Sequence, residues 1–228
     1  MDKINLVVVA HPDDEILGFG ATGAKLVADG ERVQPVILCG DADARTHRPS
    51  NRDLYEDILA ANKTVGFSEP VLGDFPNIRM NTVAHLELVQ FIEQQIKKFK
   101  PTRIFTHHPG DLNDDHVQVA RSCMVASRLF QHCKDTPPIK AVHLMEVLSS
   151  SDWAFPVGHN AFSPNLYIEI ADHLETKIRA LSCYRKVMRE FPHPRSREVI
   201  TGLAAYRGGQ SGQKYSEAFQ TVFQRELL

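Results

Sequence analysis

Two apolar periods alternate along the chain. Asn5 to Ala10 is a short β-branched run that reads as a buried strand, and from Ile16 the apolar or small residues Phe19, Gly20, Gly23 and Leu26 recur at helical spacing until Gly30 stops them. Val33 to Cys39 predicts a second strand, followed by a long polar loop, Gly40 to Ser50, and a helix from about Arg52 to Val65. A weaker strand is expected near Pro70 to Leu72. Val83, Leu86, Val89, Ile92, Ile96 and Phe99 then mark one face of a helix that Pro101 ends. Arg103 to Thr106 reads as a strand, and His107 to Asp115 as a loop opening into a helix near His116.

Ala141 to Leu148 and Asn165 to Ile170 predict further strands, and Leu174 to Phe191 a long helix. After Phe191-Pro192-His193-Pro194-Arg195-Ser196 the pattern suggests helices interrupted by Gly208-Gly209-Gln210-Ser211-Gly212. Strands alternating with helices imply an α/β fold, a mostly parallel sheet covered on both faces. One domain over residues 1–228 is expected, with a C-terminal helical extension from about 172.

Composition narrows the partners. With 26 basic and 28 acidic residues, the net charge of -2 creates no field that would hold nucleic acid. Small molecules are the expected partners. No apolar run approaches the roughly 18 residues that span a bilayer, so no membrane insertion is expected and the location is read as cytoplasmic. Cys39, Cys123, Cys133 and Cys183 lack CxxC spacing and read as buried free thiols.

The chemistry sits in two polar loops at predicted strand ends. Ligands of parallel sheets bind beyond the carboxyl ends of the strands, so His11-Pro12-Asp13-Asp14-Glu15 and Asp111-Leu112-Asn113-Asp114-Asp115-His116 should face one crevice. His11 and Asp14 can aim an imidazole and a carboxylate at one point, and His116 can supply a third ligand. Two histidines and one carboxylate leave positions open for water and substrate, the pattern of a catalytic zinc site. Asp13 is then left beside the metal as a general base, and Glu15 suits the start of the helix.

Gly18-Phe19-Gly20-Ala21-Thr22-Gly23 also matches a dinucleotide fingerprint, with Asp41 or Asp43 further on. The spacing argues against it. That fingerprint needs its first glycine directly after the strand, whereas His11 to Leu17 intervene, so these glycines read as close helix-to-sheet packing.

Together with Asp115-His116, the run His11 to Glu15 resembles the signature of the PIG-L or LmbE-like zinc-dependent N-deacetylases. Arg52, Glu56 and Ala60 ahead of Val65-Gly66 are similar to the family's segment after the second strand. Thr106 to Asn113 and Pro192 to Ser196 resemble one bacterial branch, as do Arg207-Gly208 and Glu217-Ala218-Phe219 near the end. The resemblance implies a Rossmann-like three-layer sandwich and removal of acetyl groups from N-acetylated amino sugars. It implies zinc on His11, Asp14 and His116, the base on Asp13, and a substrate-contacting arginine at Arg52.

One position departs from the family. Members often carry a histidine three residues before the last ligand, and here that residue is Asn113, which can donate to an oxyanion but cannot titrate. His108 and His193 are the titratable candidates for protonating the leaving amine; His193 reads equally as a hydrogen-bonded histidine in a proline-rich turn. His108, Asp111 and Arg195 join Arg52 as candidate substrate contacts, Arg195 either as a fork for a substrate phosphate or carboxylate or as a salt bridge ordering the tail. Asp41, Asp43 and Arg45 lie in the loop after the second strand, which should border the site, and read as mobile or solvated rather than catalytic; Trp153 is an apolar wall for a sugar or packs at a lid.

The expected activity is zinc-dependent deacetylation of an N-acetylamino sugar, free or linked to a nucleotide or glycan, within surface polysaccharide biosynthesis. Two other readings stay open: a zinc amidohydrolase for a non-sugar N-acyl substrate, and a sugar- or nucleotide-binding protein without catalysis. Relatives are often oligomeric, so a homo-oligomer is within the expectation.

Overall fold

The computed structural model describes residues 3–41, 49–155 and 161–226. Five parallel strands, β1 Ile4–Val9, β2 Arg32–Ile37, β3 Val71–Leu72, β4 Arg103–His107 and β5 Ala141–Met145, lie in the order β3-β2-β1-β4-β5. Two more complete the seven-stranded sheet: β6 Leu166–Glu169 at the edge, and β7 Ser216–Gln224 antiparallel between β5 and β6.

The helices are α1 Asp14–Ala28, α2 Asn51–Thr64, α3 His85–Phe99, α4 Asp114–Ala126, α5 Leu174–Cys183 and α6 Arg197–Ser211. The alternation of β1 explains the layers. Val7 and Val9 enter the core shared with α1, α2, α5 and α6, while Leu6, Val8 and Ala10 enter the core shared with α3 and α4. Burial on both faces is why β1 reads as a continuous apolar run. Strand order reverses between β1 and β4, so the loops after these two strands border the crevice at the switch point. The mostly parallel three-layer α/β architecture is the one the sequence predicts.

The glycines of α1 serve packing. A Cβ on Gly18 would sit 2.6 Å from Met145 Sδ on β5, so the bare backbone sets how closely α1 approaches the sheet. The cysteines are free, but only Cys39 and Cys123 are buried. No helix among the described residues is long and apolar enough to cross a membrane.

The C-terminal part corrects the sequence reading. The helix expected to reach Phe191 stops at Cys183, because tertiary partners draw the next residues out of helical register. Tyr184 hydrogen-bonds Glu15, and the amide and guanidinium of Arg185 engage Asp57. In the last segment α6 runs through Gly208-Gly209 and ends only at Gly212, which adopts φ 72°. The extension from about 172 is therefore not all helical. Ser216 to Phe219 is buried on both faces, which hides the strand alternation.

β7 also reaches back to the first helix. Glu217 accepts the amides of Ala21 (3.2 Å) and Thr22 (2.7 Å) in α1, and Lys177 of α5 donates to both Glu217 (2.7 Å) and the Leu17 carbonyl (2.6 Å). A buried ion pair thus fastens α1 to the end of the chain.

Candidate active site

The turn from β1 into α1 is tight. Asp13 adopts the left-handed conformation (φ 97°), and its amide donates to Glu15 Oε2 at 3.1 Å. The His11 amide donates to Asp14 Oδ2 at 3.0 Å. This winding places Asp13 and Asp14 side by side with both carboxylates buried. From the far side of the switch point, Asn113 caps α4 by accepting the Asp115 amide at 3.0 Å, and His116 follows in the first turn.

Three side chains converge on one point. His11 Nδ1 lies 3.4 Å and His116 Nε2 3.2 Å from Asp14 Oδ2, and one donor atom from each of His11, Asp14 and His116 falls within 4.8 Å of the others. The outer nitrogens are braced. His11 Nε2 donates to Asp115 Oδ2 at 2.9 Å, and that carboxylate is fixed by the amides of Ile78 (2.6 Å) and Met80 (2.8 Å). His116 Nδ1 lies 3.3 Å from Asp111 Oδ1, an ion-pair contact, and Asp111 accepts from Ser150 and Ser151. Carboxylates behind both imidazoles leave His11 Nδ1 and His116 Nε2 as the atoms that could face a metal, an arrangement like the one that orients ligands in catalytic metal sites. This donor set fits a metal ion.

The electrostatics agree. Burial pushes Asp14 up, but His116, His11 and His107 outweigh it and hold the carboxyl well below its ordinary range. Burial pushes His116 down, yet the facing Asp14 and Asp111 carboxylates raise it to about 10. Asp111 is held at about 2 because His116 and the two serines outweigh its burial. Glu15 goes the other way. It is fully buried, and burial raises it to about 7 even though Tyr184 and Asn62 donate to it.

A cavity of about 240 Å³ opens over these residues. Asn77, Ile78, Asn113, Ser149, Ser150 and Arg195 complete its lining beside the three ligand candidates and Asp13. Arg195 donates from Nη1 to Asp13 Oδ2 (3.0 Å) and from Nε to Ser149 Oγ (2.7 Å), so it orders a site carboxylate rather than the tail. Ile78 (φ 55°) and Ser149 (φ 67°) share the left-handed conformation of Asp13, which concentrates backbone strain around the cavity.

Other candidates stand elsewhere. Arg52 is exposed at the start of α2 and pairs with Glu56, and His108 is bound to Gln220 at 3.1 Å; neither lines the cavity. Asp111 is buried behind His116 as a brace instead of facing a substrate. His193 is exposed, with Nδ1 accepting the Arg195 amide at 3.0 Å. Trp153 is exposed beyond Ser150, while Asp43 and Arg45 lie outside the described residues.

The sequence reading missed His107. It ends β4, stacks on His116 with ring centroids 3.8 Å apart, and approaches Asp14 Oδ2 at 3.5 Å. It is not placed as a ligand. The Ala10 amide donates to His107 Nε2 at 2.9 Å, which puts the proton on Nδ1 and fixes a neutral ring, and burial beside His116 lowers its pKa to about 3. His107→Leu should leave the Ala10 amide unpaired and lower stability by about 1–3 kcal/mol in a denaturant titration. Bound metal, measured by elemental analysis, should persist; its loss would make His107 a ligand.

A family model described as PIG-L, GlcNAc-PI de-N-acetylase, matches residues 6–127. YaiS, an uncharacterized deacetylase of Escherichia coli (strain K12), is 30% identical over 131 residues, 54% of this chain and 67% of that protein. The diacetylchitobiose deacetylase of Thermococcus kodakarensis is 22% identical over 223 residues, 95% of this chain and 82% of that protein. The crystal structure of the conserved protein TT1542 from Thermus thermophilus shares the fold, with a TM-score of 0.79 at 20% identity over 100% of this chain and 98% of that one. The family match runs from β1 to the end of α4 and holds both polar loops; the chain belongs to the PIG-L, or GlcNAc-PI de-N-acetylase, family.

Proposed function

We propose that the protein is a zinc-dependent N-deacetylase that releases acetate from an N-acetylated amino sugar. The observation that carries the reading is the convergence of His11, Asp14 and His116, with Asp13 on the same turn and in the same cavity. YaiS, an uncharacterized deacetylase, supports the reaction, and the relative named for diacetylchitobiose supports the sugar class.

Zinc, when bound by His11, Asp14 and His116, supplies Lewis acidity that polarises the acetyl carbonyl and acidifies water. Asp13 then takes the proton of the attacking water, with Arg195 holding its carboxylate in place. The Oδ1 of Asn113 is committed to capping α4, so its Nδ2 hydrogens are the part that can donate to the developing oxyanion. Asp13, now protonated, is the cavity group that can return the proton to the leaving nitrogen. His193 stands outside the lining, and Arg52 and His108 have no part in this scheme.

Acetate release is the direct test. Purified protein with one zinc per chain should deacetylate N-acetylglucosamine or one of its conjugates. Acetate from N-acetyl amino acids, with none from any acetamido sugar, would replace the sugar class with a non-sugar N-acyl substrate.

A further inference from the structure

Asp13 occupies the N-cap of α1 without capping it. An aspartate in that position ordinarily keeps an extended backbone and accepts an amide of the first helical turn. Here the backbone is left-handed (φ 97°, ψ -27°) and the side chain makes no cap hydrogen bond. The carboxylate is turned instead towards Arg195 and the cavity. A residue other than glycine persists in such a conformation only where its surroundings hold it there.

What holds it is a buried cluster drawn from three parts of the chain. The Asp13 amide donates to Glu15 Oε2 at 3.1 Å, while Glu15 Oε1 accepts from Asn62 Nδ2 of α2 at 3.0 Å and from the Tyr184 hydroxyl. The same hydroxyl meets the Asp13 amide, and all four residues are buried. Tyr184 is in turn fixed from behind. It is the first residue past α5, and the next amide, that of Arg185, donates to the buried Asp57 Oδ2 of α2 at 2.9 Å. Phenylalanine would serve packing alone; the buried hydroxyl is stable there because Glu15 receives it.

Resting on the proposed deacetylase reading, we infer that Tyr184 is a positioning residue for the general base. With Asn62 it locks Glu15, and Glu15 holds the Asp13 amide so that the left-handed turn keeps its carboxylate in the cavity. Tyr184 is absent from the cavity lining and acts only through that turn. It lies beyond residues 6–127, the part matched by the family model, as does Arg195. The C-terminal part of the chain thus grips Asp13 twice, at the amide through Tyr184 and at the carboxylate through Arg195.

The test is steady-state acetate release by zinc-loaded wild type, Tyr184→Phe, Asp13→Asn and the double variant, on N-acetylglucosamine or the conjugate of it that the wild type turns over. Tyr184→Phe should keep one zinc per chain and a KM within about twofold of wild type, and lower kcat roughly tenfold, because a slightly displaced base slows proton transfer without weakening substrate binding. In Asp13→Asn no base remains to be placed, so adding Tyr184→Phe should leave the residual kcat unchanged.

A merely structural hydroxyl would lower the melting temperature and leave kcat intact, or lower kcat by the same factor in both backgrounds. Either result overturns the assignment while leaving the deacetylase standing, and so does a raised KM with kcat kept. If Tyr184→Phe does not fold, Asn62→Leu, which removes the other donor to Glu15, is read by the same two criteria. No acetate from the wild type, or full turnover by Asp13→Asn alone, removes the reading beneath the assignment and the assignment with it.

Discussion

Asp13→Asn should keep a full complement of zinc and lose turnover by roughly 10²–10⁴-fold, the contribution of a positioned general base. The substitution is close to isosteric, and asparagine tolerates the left-handed backbone that residue 13 adopts. Its amide oxygen can still accept from Arg195, so the cavity wall should stand. What disappears is the ability to take a proton. Elemental analysis, thermal melting and acetate release on one preparation check all three points; full activity with zinc bound would remove Asp13 from the base position.

Asp14→Ala should have the opposite signature, with zinc and activity lost together. Asp14 is the carboxylate on which the two candidate ligand histidines converge, and removing it from the buried His116 should also destabilise the metal-free protein by about 3–5 kcal/mol. The sign with pH follows from His116. Its pKa is raised from 6.5 to about 10, so its pairing stabilises the metal-free protein fully below pH 6.5, and that contribution is lost as pH rises towards 10. Melting of the metal-free wild type should fall across this window, and the fall should be much smaller in Asp14→Ala. Because the metal must displace that proton, zinc affinity should weaken as pH falls. Retention of stoichiometric zinc in Asp14→Ala would sink the ligand assignment.

The parallel part of the sheet and the three ligand candidates were legible in the sequence for one reason. A strand buried on both faces is a continuous apolar run, and charged residues directly after it have few structural uses. The supporting layer was not legible. Whether Asp115 or Asp111 stands behind a histidine depends on side-chain direction across the crevice, and Arg195 meets Asp13 from 182 positions away. His107 was hidden differently. As the last residue of β4 it continues an apolar strand, and only the tertiary structure shows its ring filling the space between His116 and the Ala10 amide. The end of α5 was misread because helical periodicity continues past the point where Tyr184 and Arg185 find partners.

The grip of Glu217 on α1 bears on the order in which this protein is made. The amides of Ala21 and Thr22 leave the ribosome almost two hundred residues before the carboxylate that receives them. Until β7 arrives, the amides of Ala21 and Thr22 lack this acceptor, although Asn62, Tyr184 and Arg195 can already hold the turn at Asp13 and Glu15. A nascent chain should therefore finish fastening α1 only after synthesis of β7, which ties the last packing step of the first helix to completion of the sheet.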